Sequence, residues 1–151
     1  MTDKAATKRE LLIEIADRMG FEVEVDQRED EDEDHTLLNI NGEDASQLIG
    51  KKGQTLDAIQ YLLNKISSTD GDDHKPVVVD CNGYRQRRSE ALQDMARQLG
   101  EKAAQSGRIV AVNPMSAHDR RIIHMTLKEA PGLTTRSEGD GLYRRLLIVP
   151  E

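Results

Sequence analysis

The 151 residues hold one ordinary domain or two small ones, and 36% hydrophobic against 32% charged residues permit only a thin core. Tryptophan is absent and phenylalanine occurs once, so little aromatic surface exists for stacking on bases, and the single cysteine, Cys81, excludes an intramolecular disulfide. The net charge of −7 argues at first against a polyanionic ligand, but it divides unevenly: residues 1–83 carry 9 Lys/Arg and 20 Asp/Glu, residues 84–151 carry 12 and 8. Charges are screened beyond about 8–10 Å in ordinary salt, so an acidic face and a basic one can coexist.

In chain order, residues 5–19 read as a helix with Leu11, Leu12, Ile15 and Met19 on one side, closed by Gly20. Phe21, Val23 and Val25 alternate with Glu22, Glu24 and Asp26, predicting a half-buried strand. Gln27 to His35 reads as an acidic, solvated hairpin loop whose run of like charge cannot be buried. Thr36 to Ile40 is a second strand, and Asn41-Gly42 a turn. Ala45, Leu48 and Ile49 suit a short helix. Leu56, Ile59, Leu62, Leu63 and Ile66 recur at helical spacing and predict a longer one. Residues 67–75, with Asp70-Gly71, read as a polar loop, and Val77 to Val79 as a third strand that Pro76 can only begin or edge.

Between the two helices lies Gly50-Lys51-Lys52-Gly53. Glycine permits a sharp turn and a close approach by phosphate, and the two lysines supply the charge a sugar-phosphate strand requires. The plain alternative is a solvated turn with two surface lysines. A nucleotide-triphosphate loop is excluded, because Gly-x4-Gly-Lys-Ser/Thr does not occur. The order helix, strand, strand, helix, helix, strand, with this loop between its fourth and fifth elements, resembles the bacterial-type (type II-like) KH domain over roughly residues 5–82. That resemblance implies a clamp holding about four nucleotides. Its loop would comprise Gly50, Lys51, Lys52 and Gly53, with Ile49, Leu56 and Ile59 as the groove floor beneath the bases.

Residues 84–106 predict a long helix with Leu92, Met95, Leu99 and Ala103 on its buried side and Arg85, Arg87 and Arg88 in its first turns. After Gly107, Arg108 to Val112 reads as a short strand. Ser116 with Asp119 forms a capping pattern that opens another helix, with Ile123 and Leu127 as its core positions, helped by Ile122 and Met125. Pro131-Gly132 stops it. Leu133 to Glu138 and Leu142 to Val149 are strands around the hairpin signal Gly139-Asp140-Gly141.

Arg120 and His124, four apart, emerge on one helical face beside Arg121. Such a pair is commonly a local hydrogen bond. Here Asn113-Pro114-Met115-Ser116 precedes it, and a Gly/Asp hairpin ending in Leu146-Leu147-Ile148-Val149-Pro150 follows. The pattern resembles the R-three-H domain, which binds single-stranded nucleic acid, over roughly residues 84–151. A KH domain followed directly by an R-three-H domain is the arrangement of the Jag family, also called KhpB or SpoIIIJ-associated proteins. Many members carry an additional amino-terminal Jag-N domain, which is not expected within these 151 residues.

The expected fold is therefore α+β in two small domains, 1–82 and 83–151, each a three-stranded sheet packed on helices. The expected function is non-catalytic binding of single-stranded RNA, with a role in post-transcriptional regulation in bacteria. Besides the loop residues, Arg120, Arg121, His124, Tyr143 and Arg145 are the candidate contacts, with Arg136 or Arg144 widening the patch. Alternation along 142–149 puts Tyr143 and Arg145 on one face and Arg144 on the other, and Tyr143 either stacks a base or packs on the helices. The alternatives are single-stranded DNA, or an adaptor whose acidic surface recruits a protein. Catalysis is not expected: Cys81 ends a Val-rich strand as a buried thiol would, and no metal-ligand spacing accompanies His35, His74, His118 and His124. No metal or cofactor is expected. The polar start, the lack of any long apolar run and the lone cysteine suit a cytoplasmic protein with no membrane span.

Overall fold

A computed structural model of the chain describes residues 4–29, 32–68 and 75–151. The Asp70-Gly71 loop signal, His74 and the middle of the acidic run, Asp30-Glu31, lie outside the described residues. The chain is α+β and divides into two compact units, residues 1–85 and 86–151.

The first unit comprises α1 (Lys4–Arg18), β1 (Glu24–Glu29), β2 (Thr36–Asn41), a single 3-10 turn over Ala45–Leu48, a second over Lys51–Gly53, α2 (Gln54–Ser68) and β3 (Val77–Cys81). Its sheet runs β1-β2-β3, with β1 antiparallel and β3 parallel to the central β2. A parallel pair needs a long crossover, and the two 3-10 turns and α2 supply it. Strand alternation places Leu38 and Ile40 of β2 and Val77, Val79 and Cys81 of β3 on one buried face. Leu12 and Ala16 of α1 and Leu56, Ile59 and Leu63 of α2 close the core above them.

Helix α1 ends as a Schellman turn. Gly20 takes φ +86, and the Gly20 and Phe21 amides donate to Asp17 and Ala16 carbonyls. This turn occupies Phe21, which packs on the core from outside the sheet, so β1 begins at Glu24 and not at Phe21 as the alternation suggests. The strand also runs further, because Gln27, Arg28 and Glu29 pair with Leu38, Leu37 and Thr36. Backbone pairing therefore takes three residues expected in the acidic loop.

The outer edge of β3 is satisfied by side chains. Asn64 donates to the Val77 carbonyl (2.9 Å) and accepts from the Val77 amide (2.8 Å), and Gln60 accepts from the Val79 amide (2.9 Å). Arg85 donates to the Val79 carbonyl, to Asp57 (both 2.8 Å) and to Gln60 (3.0 Å). These amide and guanidinium groups stand where another strand would pair, which blunts the edge.

The second unit contains most of α3 (Tyr84–Ser106), then β4 (Val110–Ala111), α4 (Ala117–Leu127), β5 (Leu133–Glu138), a 3-10 turn over Gly141–Tyr143 and β6 (Arg145–Pro150). Its antiparallel sheet runs β4-β6-β5. Leu92, Ala96 and Ala103 of α3, Ile123 and Leu127 of α4, and Leu146 and Ile148 of β6 form its core. Gly100 lets the helix close on this core, since a Cβ there would lie 3.0 Å from Leu127 and 3.1 Å from Leu133. Ser116 caps α4 by accepting from the Asp119 amide (3.1 Å). Met125, expected to help the core, is 51% exposed because the α4 face opposite β5 is only partly covered.

The expected strand over 142–149 is shorter. The Tyr143 and Arg144 amides donate to Asp140 and Gly141 carbonyls, and Gly139 and Gly141 take positive φ, so the chain turns before β6 begins at Arg145. The alternation argument for Tyr143 fails for that reason: the residue sits in a turn and is 82% exposed. Among the described residues no helix is long and apolar enough to cross a membrane.

Candidate nucleic-acid interface

In the first unit the Gly50–Gly53 loop leads directly into α2, whose N-terminal amides and dipole favour an anion. Gly50 adopts φ +71, ψ −173, a region open essentially to glycine alone, and a Cβ there would lie 2.9 Å from the Thr55 backbone nitrogen. Gly53 (φ +79) lies against the Tyr84 ring, 2.9 Å from where its own Cβ would be. Both glycines are thus required by the turn and by close packing. Between them Lys52 takes the left-handed conformation (φ 56, ψ 26), uncommon for a side chain of its type. Lys51 is exposed and makes no ion pair among the described residues; Lys52 is half-buried.

The apolar residues beside the loop divide. Ile49 is half-buried and reaches the surface, but Leu56 is 0% and Ile59 4% exposed. Their position on α2 turns them into the core, so they do not form a groove floor. Arg85 is committed to β3, Asp57 and Gln60. In the second unit, Arg88 pairs with the buried Asp119 at 3.0 Å. These two arginines hold elements together and are not a solvated helical face.

In the second unit Arg120 and His124 do share a face, and β5 fixes both. Arg120 Nε donates to the Met115 carbonyl (3.2 Å) and its terminal nitrogen to Ser137 Oγ (3.3 Å). His124 Nδ1 lies 2.5 Å from Thr135 Oγ1. Thr135 and Ser137 alternate on one face of β5, which is why an i, i+4 pair on a helix can meet both. Arg120 is half-buried and His124 exposed. A groove of about 350 Å³ opens over this seam, and Arg121 and Arg136 also line it. Two guanidinium groups, an imidazole and two hydroxyls therefore converge on one concave surface, with Arg136 at its border on the next position of β5, a donor-rich set suited to phosphate and sugar oxygens.

The remaining candidates do not join it. Arg145 pairs with Glu138 at 2.6 Å, and Arg144 donates to the Gly139 carbonyl at 2.7 Å. Tyr143 stands with Leu142 on the hairpin turn, with neither among the groove's lining residues. Thr135 and Ser137 were not singled out in the sequence, although their polar i, i+2 spacing in a strand beside an Arg/His helix is a readable signal. Among the described residues no group of three or more His, Cys, Asp or Glu could hold a metal ion.

Comparison with known proteins agrees with this architecture. The KH domain model for KhpA/KhpB matches residues 9–80, and the R-three-H domain model matches residues 90–150. "RNA-binding protein KhpB" of Clostridium symbiosum is 35% identical over 148 residues, covering 98% of this chain and 65% of that protein. The Bacillus subtilis (strain 168) protein of the same name is 36% identical over 112 residues, covering 73% of this chain and 54% of its own length. That of Lactiplantibacillus plantarum is 32% identical over 114 residues, covering 76% and 35%. The chain thus spans about two-thirds or less of the length of these curated relatives. With a KhpA/KhpB-type KH domain followed by an R-three-H domain, and with this identity along nearly its whole length, the chain belongs to the KhpB (Jag) family.

Proposed function

We propose that this chain binds single-stranded RNA without catalysing a reaction, through two separate contacts, and acts in post-transcriptional regulation. The observation that carries the reading is the convergence of Arg120, Arg121 and His124 with Thr135 and Ser137 in one groove. Arginine forks grip phosphate in two-point fashion, and the hydroxyls and imidazole can donate to or accept from ribose and base edges. The first contact is the Gly50–Gly53 loop, where Lys51, the backbone and the N-terminus of α2 hold phosphates. It is supported by the glycine-only backbone at Gly50 and the left-handed Lys52, strain of a kind that clusters at binding sites. The names of the KhpB relatives agree with RNA as the ligand.

The test is filter binding of the full chain to a labelled oligouridylate, with oligodeoxythymidylate as competitor. Lys51→Asp with Lys52→Asp, and His124→Ala, should each weaken RNA binding, and the combination should weaken it further. Wild-type affinity in all three proteins would refute the proposal. Equal competition by the DNA would leave single-strand binding standing and replace RNA with either nucleic acid.

A further inference from the structure

Arg121 lines two cavities. One is the groove over α4 and β5; the other, of about 660 Å³, lies between α3 and α4. At 3.6 residues per turn, His118, Arg121 and Met125 follow one stripe of α4, while Arg120 and His124 follow a neighbouring one. Arg121 therefore stands on the ridge between them. We propose that the second cavity is a further subsite for the same single strand, which leaves the Arg120–His124 groove, passes Arg121 and sets its next phosphate and base between α3 and α4. This rests on the reading of the first groove as an RNA contact.

The chemistry of the walls fits a nucleotide. Arg97 and Arg121 bring guanidinium groups from the two helices, and His118 adds an imidazole. Arg97 is bound to Asp94 through one nitrogen at 3.0 Å, and a guanidinium has five N–H donors, so others can reach a phosphate. Gln93 and Ser89, hydrogen-bonded to one another at 3.2 Å, present an amide and a hydroxyl suited to base edges. Met125, half exposed on the same face, offers a polarizable apolar surface on which a base can lie. Residues 84–151 carry a net positive charge, which favours an anionic occupant. Continuity through Arg121 selects the occupant: a strand already held on one side is delivered to the other.

The experiment uses the full chain carrying Lys51→Asp and Lys52→Asp, so that length dependence reports the second unit. Affinity is measured for fluorescein-labelled oligouridylates of about 4 and about 12 nucleotides, the span of common single-strand site sizes. In this parent protein the longer oligonucleotide should bind about tenfold more tightly. Arg97→Ala with His118→Ala should remove about fivefold of that gain, flatten the log–log salt slope by about 0.7 for each phosphate lost, and leave the short oligonucleotide unaffected. Gln93→Trp, which fills the cavity without changing charge, should act the same way on affinity. His124→Ala should weaken both lengths. If His124→Ala weakens both but the Arg97/His118 pair changes long-oligonucleotide affinity less than about twofold, the subsite is wrong and the first groove stands. Equal weakening of both lengths by that pair would mean diffuse electrostatics and would also overturn the subsite. No effect of His124→Ala at either length would remove the first groove and the subsite together.

Discussion

Gly50→Ala isolates the shape of the lysine loop from its charge. The residue sits at φ +71, ψ −173, where any side chain costs about 1–3 kcal/mol. The added methyl would also meet the Thr55 backbone nitrogen at 2.9 Å and overlap the Thr55 side chain, so the loop or the first turn of α2 must shift. Together these give a loss of about 2–4 kcal/mol. Gly20→Ala is the matching control: φ is +86 there, but nothing lies within 4 Å of the new Cβ. Only the conformational cost remains, about 1–2 kcal/mol. Urea denaturation of the three proteins should therefore place Gly50→Ala clearly below Gly20→Ala, with unchanged m values. RNA affinity should fall in Gly50→Ala alone, although Lys51 and Lys52 are both retained. Equal stability losses in the two variants would refute the steric argument. Full RNA affinity in a folded Gly50→Ala protein would refute the claim that loop shape holds the phosphates.

The lysines act by charge, so Lys51→Asp with Lys52→Asp should flatten the salt dependence of RNA binding by about 0.7 to 1.4 log–log units, the lower value applying if the half-buried Lys52 touches no phosphate. Asn64→Ala strips both partners from the edge of β3, leaving the amide and carbonyl of the 1% exposed Val77 unmatched; a stability loss of about 2–3 kcal/mol in chemical denaturation is expected. Arg88→Ala leaves the Asp119 carboxylate, 8% exposed, without its cation, and should cost about 2–4 kcal/mol while leaving RNA affinity of the folded protein intact. Arg120→Ala and His124→Ala should both weaken RNA binding, but the half-buried Arg120, which loses bonds to Met115 and Ser137, should lower stability by about 1–2 kcal/mol and the exposed His124, which loses one bond to Thr135, by less than about 1 kcal/mol; thermal melts beside binding isotherms separate the two effects.

Local chemistry made much of this protein legible in its sequence. Gly20 ends α1, Ser116 caps α4, and Leu133–Glu138 pairs across a Gly-Asp-Gly turn, because each depends on residues only a few positions apart. The same holds for the Gly-Lys-Lys-Gly loop and for the shared face of Arg120 and His124, which follow from helical spacing. Tertiary structure decided what each side chain faces. Leu56 and Ile59 have the pattern of any amphipathic helix, and only the sheet beneath α2 turns them inward and away from a groove floor. Arg85, Arg88, Arg120, Arg121 and Arg145 are alike as letters, yet Asp57, Asp119 and Glu138 claim the first two and the last, while the packing of α4 on β5 leaves the other two beside His124. Those partners lie 7 to 31 residues away along the chain, and their pairing depends on strand register and helix packing, which no local pattern encodes.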